Sequence, residues 1–113
     1  MSLCSWSELV ERGSLRVSRC GQVLLIVRDG AFARAYLDQC PHNLASLDGG
    51  EGGQDFLTPE RDALICRGHG ALFRLRDGYC FAGPCAGRSL IPFAVERHGQ
   101  IVDIALGQGN MLR

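Results

Sequence analysis

Two cysteine–histidine pairs carry the chemistry this sequence can offer: Cys40 and His42 in "CPHNLASL", and Cys66 and His69 in "CRGHGALF". The pattern reads C-x-H, 23 intervening residues, then C-x-x-H. Two soft thiolates and two imidazoles suit a tetrahedral zinc ion or an iron–sulfur cluster with mixed ligation. Pro41 restricts the backbone of the first loop, while Gly68 and Gly70 let the second bend tightly beside a metal. No Ser-His-Asp set, nucleotide loop or substrate-sized domain accompanies these pairs, so substrate chemistry is not implied.

The elements that must position the pairs are mostly β. "SLRVSRC" leads through Gly21 into "QVLLIVR", and Asp29-Gly30 is a hairpin signal into "AFARAYL". The apolar run Val23 to Val27 suits a central strand buried on both faces. In the next strand Ala31, Ala33, Ala35 and Leu37 alternate with Phe32, Arg34 and Tyr36. Near the end "LIPFAVE" turns at His98-Gly99 into "QIVDIAL", with Val102, Ile104 and Leu106 on one face and Asp103 on the other. Between these outer strands, "ALIC" and "ALFRL" read as short strands with Asp77-Gly78 as a turn. "DGGEGGQ" has no apolar face and reads as a loop. The one helix candidate covers Ser5 to Val10, where Ser5 and Glu8 fit a capping box.

At 113 residues the chain suits one domain, and 46% hydrophobic residues exclude a disordered one. The formal net charge is zero, so nothing globally favours nucleic acid or a membrane surface. The start, "MSLCSWSELVERG", has no apolar run long enough for a leader or a membrane span, so a cytoplasmic location is expected. Reduced thiols there favour metal binding over disulfides. Five acids between Asp48 and Asp62 face only Arg61, and the plainest reading of that insert is a solvated surface loop.

The combination "CPH…CRGHGALF…DGYCFAGPCAGRSL" resembles the Rieske [2Fe–2S] family, in particular its small soluble ferredoxins. The resemblance runs from Cys40 to Leu90. It implies that Cys40 and Cys66 bind one iron and His42 and His69 the other, and that Gly83-Pro84 begins the family's proline loop over the cluster. The fold it implies is all-β: an antiparallel β-sandwich or open-barrel frame (about 1–38 and 88–113) with a small inserted cluster-binding subdomain (about 39–87). The function it implies is a soluble one-electron carrier passing electrons from a reductase to a terminal oxygenase. Such a protein is an electron-transfer component rather than a catalyst by itself. Its complexes with redox partners would be transient, and the carrier a monomer.

Mixed ligation makes each oxidation state two charges less negative than an all-cysteine cluster. That lifts the potential from about −400 mV toward roughly −150 to +300 mV. By resemblance to high-potential Rieske proteins, Ala45 and Gly68 stand where those carry a disulfide, and Ala71 and Phe73 stand where those carry a serine and a tyrosine that donate to cluster and thiolate sulfur. Fewer donors leave charge on sulfur less stabilised, so a low potential is expected. Leu44 replaces a glycine common in the family. With Ala45, Gly70 and Pro84 it would form an apolar rim around the exposed histidines, and Arg67 beside the cluster is a docking candidate.

Other readings remain. A zinc-stabilised Cys2His2 interaction module would use the same four ligands but leaves "HGALF" and "GP" unexplained. A small Rieske-like subunit of a nitrite reductase is the alternative within redox chemistry. Cys4, Cys20, Cys80 and Cys85 read as small buried residues, with Cys85 close to the cluster because it follows Pro84. His98 reads as an exposed turn residue, and Trp6, Tyr36 and Tyr79 as packing groups.

Overall fold

The computed structural model describes residues 3–19, 21–41, 46–47, 56–68 and 70–105. Among the described residues ten strands make three antiparallel sheets, accompanied by one helix. The sheet at the centre runs β2 (Ser14–Arg19), β3 (Gln22–Asp29), β4 (Phe32–Leu37), β8 (Pro92–Phe93). A second sheet joins β1 (Cys4–Ser5), β10 (Ile101–Ile104) and β9 (Val95–His98). The third, inserted in sequence between β4 and β8, runs β5 (Ala63–Ile65), β6 (Leu72–Arg74), β7 (Cys80–Ala82).

The unbroken apolar run of β3 is explained by its neighbours on both faces. Leu24 and Ile26 enter a core with Leu9, Ala33, Ala35, Phe93 and Val102. Leu25 and Val27 point the other way, into a core with Tyr36, Leu64, Phe73, Cys40 and Cys66. Successive side chains on a strand alternate in direction, so one strand serves as the wall of two cores. Within the run Val23 to Val27, only Val23 is exposed.

α1 (Trp6–Arg12) begins where the capping box places it, with the Ser5 hydroxyl accepting from the Glu8 N–H at 3.2 Å. It continues two residues past Val10, because Leu9 is fully buried and Gly13 caps the end by donating to the Leu9 carbonyl.

Local signals also place the hairpins, with small shifts. Asp29 pairs with Phe32, so the two-residue loop is Gly30-Ala31 rather than Asp29-Gly30. Likewise His98 pairs with Ile101, and the loop is Gly99-Gln100. "LIPFAVE" is two strands: β8 pairs with β4 in the central sheet, and after Ala94 the chain crosses to β9 in the other sheet. Leu106 lies outside the described residues. Among the described residues no helix is long and apolar enough to cross a membrane.

Candidate metal centre

The first ligand loop leaves the end of β4 and is held at its base by Asp38. The Asp38 N–H donates to the Val23 carbonyl at 2.9 Å, fixing the chain as it leaves the sheet. Its carboxylate, almost fully buried, accepts from the Leu47 N–H at 2.9 Å and the Ser46 hydroxyl at 2.6 Å. The Arg16 guanidinium on β2 reaches both, 3.2 Å from the Ser46 hydroxyl and 3.5 Å from the carboxylate. One side chain therefore ties together the two ends of the segment that carries Cys40 and His42. Charge-assisted bonds of this kind hold geometry better than neutral ones.

The second ligand loop closes on itself. The Cys66 N–H donates to the Ala71 carbonyl at 2.9 Å, and the Gly70 N–H returns to the Cys66 carbonyl at 2.8 Å. Gly70 has the positive φ this turn needs, whereas Gly68 does not. The Arg67 N–H donates to the Leu47 carbonyl at 2.7 Å, joining the second loop to the end of the first.

A third loop, Gly83 to Arg88, leans on both. The Arg88 guanidinium donates to the Pro41 carbonyl at 3.1 Å, one residue from Cys40. At Gly83 (φ +95°) a Cβ would lie 2.7 Å from the Ala71 Cα, so only glycine lets the loop approach this closely. Its return strand, β7, was not legible in "DGYCFAG". Cys80 and Tyr79 pair with Phe73 and Ser89 across a bulge rather than in regular alternation.

Cys40 and Cys66, neither of them in a disulfide, have 0% and 2% exposure inside one core with Cys80 and Cys85. His42, His69, Leu44 and Ala45 lie outside the described residues, as does Cys20. Among the described residues no three Cys, His, Asp or Glu side chains are arranged to hold a metal. The donors present are two buried thiols on adjoining loops, which fit one iron of a cluster with mixed ligation. Ala71 and Phe73 are fully buried and present no side-chain donor.

The Rieske [2Fe-2S] domain model matches residues 1–102. The chain belongs to the Rieske [2Fe–2S] domain family. Its cofactor is accordingly a Rieske-type [2Fe–2S] cluster. Among solved structures, this Rieske domain is 32% identical to a chain of the complex of reduced oxygenase and oxidized ferredoxin in carbazole 1,9a-dioxygenase. That match covers 93% of this chain and 100% of the other, with a TM-score of 0.70. The ferredoxin of carbazole 1,9a-dioxygenase from Nocardioides aromaticivorans IC177 is 23% identical with a TM-score of 0.70, covering 93% of this chain and 97% of that one. The terminal oxygenase of the same system is similar over only 29% of its own length, with 92% of this chain covered, 21% identity and a TM-score of 0.72. No curated protein matches.

Two groups beside the centre are perturbed by burial. The Cys85 thiol is pushed up to about 12, first by desolvation, then by its hydrogen bond to Cys80 and the neighbouring Cys40. The Tyr36 hydroxyl is pushed well above the usual phenol range, chiefly by burial. Tyr36 shares β4 with the outward-facing Phe32 and Arg34, yet it is 2% exposed and donates to the Leu75 carbonyl at 2.5 Å. It therefore does more than pack: it ties the central sheet to the turn after β6.

The remaining expectations divide. Cys4, Cys80 and Cys85 are buried, and His98 is exposed beside Glu96. Trp6 and Tyr79 each lie under an arginine, Arg97 and Arg74. Asp48 to Asp55 lie outside the described residues. The end of that insert is not a solvated loop, for Phe56 and Leu57 are buried and the Ile65 N–H donates to the Phe56 carbonyl at 2.8 Å. Glu60 and Asp62 are exposed, as are Arg67, Gly70 and Pro84.

Sequence reading missed Asp38 altogether. An acid two residues before the first cysteine was the available signal, but its partners Arg16 and Leu47 are remote in the chain.

Proposed function

We propose that this Rieske domain is a soluble one-electron carrier that takes electrons from a reductase and delivers them to a terminal oxygenase. The observation that carries this reading is likeness over a whole chain. This domain is 32% identical to a chain of the complex of reduced oxygenase and oxidized ferredoxin and covers 100% of it, whereas it covers 29% of the terminal oxygenase. On this reading the cluster-binding part is about 39–87 and the frame about 1–38 and 88–113, and the carrier acts as a monomer in transient complexes. Five cysteines among the described residues form no disulfide, which suits the reducing cytoplasm.

Cys40 and Cys66 would hold one iron and His42 and His69 the other. When bound, the cluster supplies the site that gains and loses one electron. The chain's own part is to hold the ligands on three interlocked loops, to keep water from the two thiolates by burying them, and to set the charge around them. With Ala71 and Phe73 supplying no side-chain donor, the potential should lie near the negative end of the Rieske range of roughly −150 to +300 mV.

The test is direct. The purified protein should be red-brown, with iron and acid-labile sulfide in equal amounts, and should carry electrons between a flavin-dependent reductase and a Rieske oxygenase. A colourless protein holding zinc would overturn the cluster reading. A cluster-loaded protein that a reductase cannot reduce would overturn the carrier.

A further inference from the structure

We propose that Cys85 is a potential-setting residue: its buried thiol donates an S–H···S hydrogen bond to the Cys40 thiolate when the cluster is bound. The inference rests on the reading of Cys40 as a ligand. Cys85 follows Pro84 in the third loop, and its place is fixed by four backbone bonds. Ala86 N–H donates to Gly83, Arg88 N–H to Cys85, Gly87 N–H to Cys80 and Cys80 N–H to Arg88. The Arg88 guanidinium then fastens this turn to Pro41, beside Cys40. Cys85 thereby shares one buried cluster with Cys40, Cys66 and Cys80.

A thiol has one proton to give. In the structure the Cys85 thiol directs it to the Cys80 sulfur at 3.4 Å, while Cys80 in turn donates to the Ala82 carbonyl at 3.2 Å. Cys80 is a neutral thiol and a weak acceptor. Iron binding converts Cys40 to a thiolate, a far stronger acceptor, because bonds to a charged group are about twice as strong as neutral ones. The proton then turns from Cys80 toward Cys40. Cys80 loses little, since its own bond to Ala82 is independent of Cys85. Donation to a ligand sulfur stabilises the added negative charge of the reduced state and so raises the potential. Cys85 thus partly offsets the donors missing at Ala71 and Phe73, from the opposite side of the site.

The experiment compares cluster-loaded wild type with Cys85→Ala, Cys85→Ser and Cys80→Ala by protein-film voltammetry. Cys85→Ala should make the one-electron reduction constant roughly three- to tenfold less favourable, where tenfold corresponds to 59 mV. Cys85→Ser, which keeps a donor, should recover most of the loss. Cys80→Ala removes a similar volume without removing the donor, and should leave the potential unchanged or slightly higher. If Cys85→Ala holds no cluster, the wild type still decides: the Fe–S(Cys) stretching bands should shift on exchange into deuterium oxide. An unchanged potential in Cys85→Ala, an equal fall in Cys80→Ala, deuterium-insensitive Fe–S bands, or a Cys80–Cys85 disulfide in the loaded protein would each overturn the proposal. Loss of the proposed function shows differently, as a protein with zinc or no metal at all.

Discussion

Replacing Gly83 by alanine tests whether the third loop is pressed onto the second. The new Cβ would lie 2.7 Å from the Ala71 Cα and 3.2 Å from the Ala71 nitrogen, both backbone atoms that cannot swing aside. The residue also sits at φ +95°, where an L side chain costs about 1–2 kcal/mol. Gly87 provides the control, because it has nearly the same φ (+92°) but nothing within 4 Å of its Cβ position. Gly87→Ala should therefore cost only the backbone term, about 1–2 kcal/mol. Gly83→Ala adds overpacking of about 1–3 kcal/mol, for a total of roughly 2–5 kcal/mol. Stability of small domains is only about 5–15 kcal/mol, so the difference is readily measured. Anaerobic urea unfolding of cluster-loaded protein, followed by far-ultraviolet circular dichroism, gives the stability. Iron per protein after purification reports the ligand loop. Gly83→Ala should lose both stability and iron, and Gly87→Ala mainly stability. Equal stability and equal iron in the two variants would refute the contact between Gly83 and Ala71.

Asp38→Ala removes the acceptor that joins Leu47 and Ser46 to the start of the first loop, leaving buried donors unpaired at about 1–3 kcal/mol each. Iron content should fall, Asp38→Asn should be milder, and full iron in the alanine variant would contradict the tether. Tyr36→Phe deletes the bond to the Leu75 carbonyl and should lower stability by about 1–2 kcal/mol, seen as a lower urea midpoint with an unchanged slope. An unchanged midpoint would show that the bond carries no net stability. Cys4 gives a pH dependence: burial first, then Glu8, pushes its thiol up to about 11 from an ordinary value of 9.0. The folded state keeps a proton that the unfolded chain gives up, so this stability is complete below pH 9.0 and is lost as pH rises toward about 11. Between about pH 8 and about pH 10.5 wild type should lose more stability than Cys4→Ala, and equal losses would dismiss the thiol as the cause.

What the sequence made legible is what local chemistry determines. The Ser5 cap, the β2–β3–β4 meander and the β9–β10 turn each depend on residues a few positions apart. The first two formed within two residues of expectation and the turn shifted by one, while the strand leading into it begins five residues later than expected. Cys40 and Cys66 stand out because metal ligands must be particular residue types, and the fold buries both in one core. Contacts between distant segments were not. Asp38 gives no pattern until Arg16 and Leu47 are folded against it. Tyr36 alternates with the alanines of its strand, on the side of Phe32 and Arg34, and reads as a packing group and nothing more. The far side of the central sheet is itself a core at that point, so the tyrosine is buried there. Ala94 looks like the middle of one strand because the sequence cannot show that its two halves join different sheets.

The double duty of β3 has a consequence for how the protein is loaded with metal. Its backbone is bonded along both edges, to β2 and to β4, and half its side chains face a core that contains no ligand. Withdrawing iron and sulfide would loosen the Leu25 and Val27 side of the strand while Leu24 and Ile26 stay buried among the helix and the β9–β10 sheet. The metal-free chain thereby keeps a folded platform on which the ligand loops can wait, and delivery of a cluster becomes a local closing of loops rather than the folding of a chain. Amide hydrogen exchange would register that order of events as slow β3 amides in the metal-free protein beside fast ones from Cys66 to Ala71.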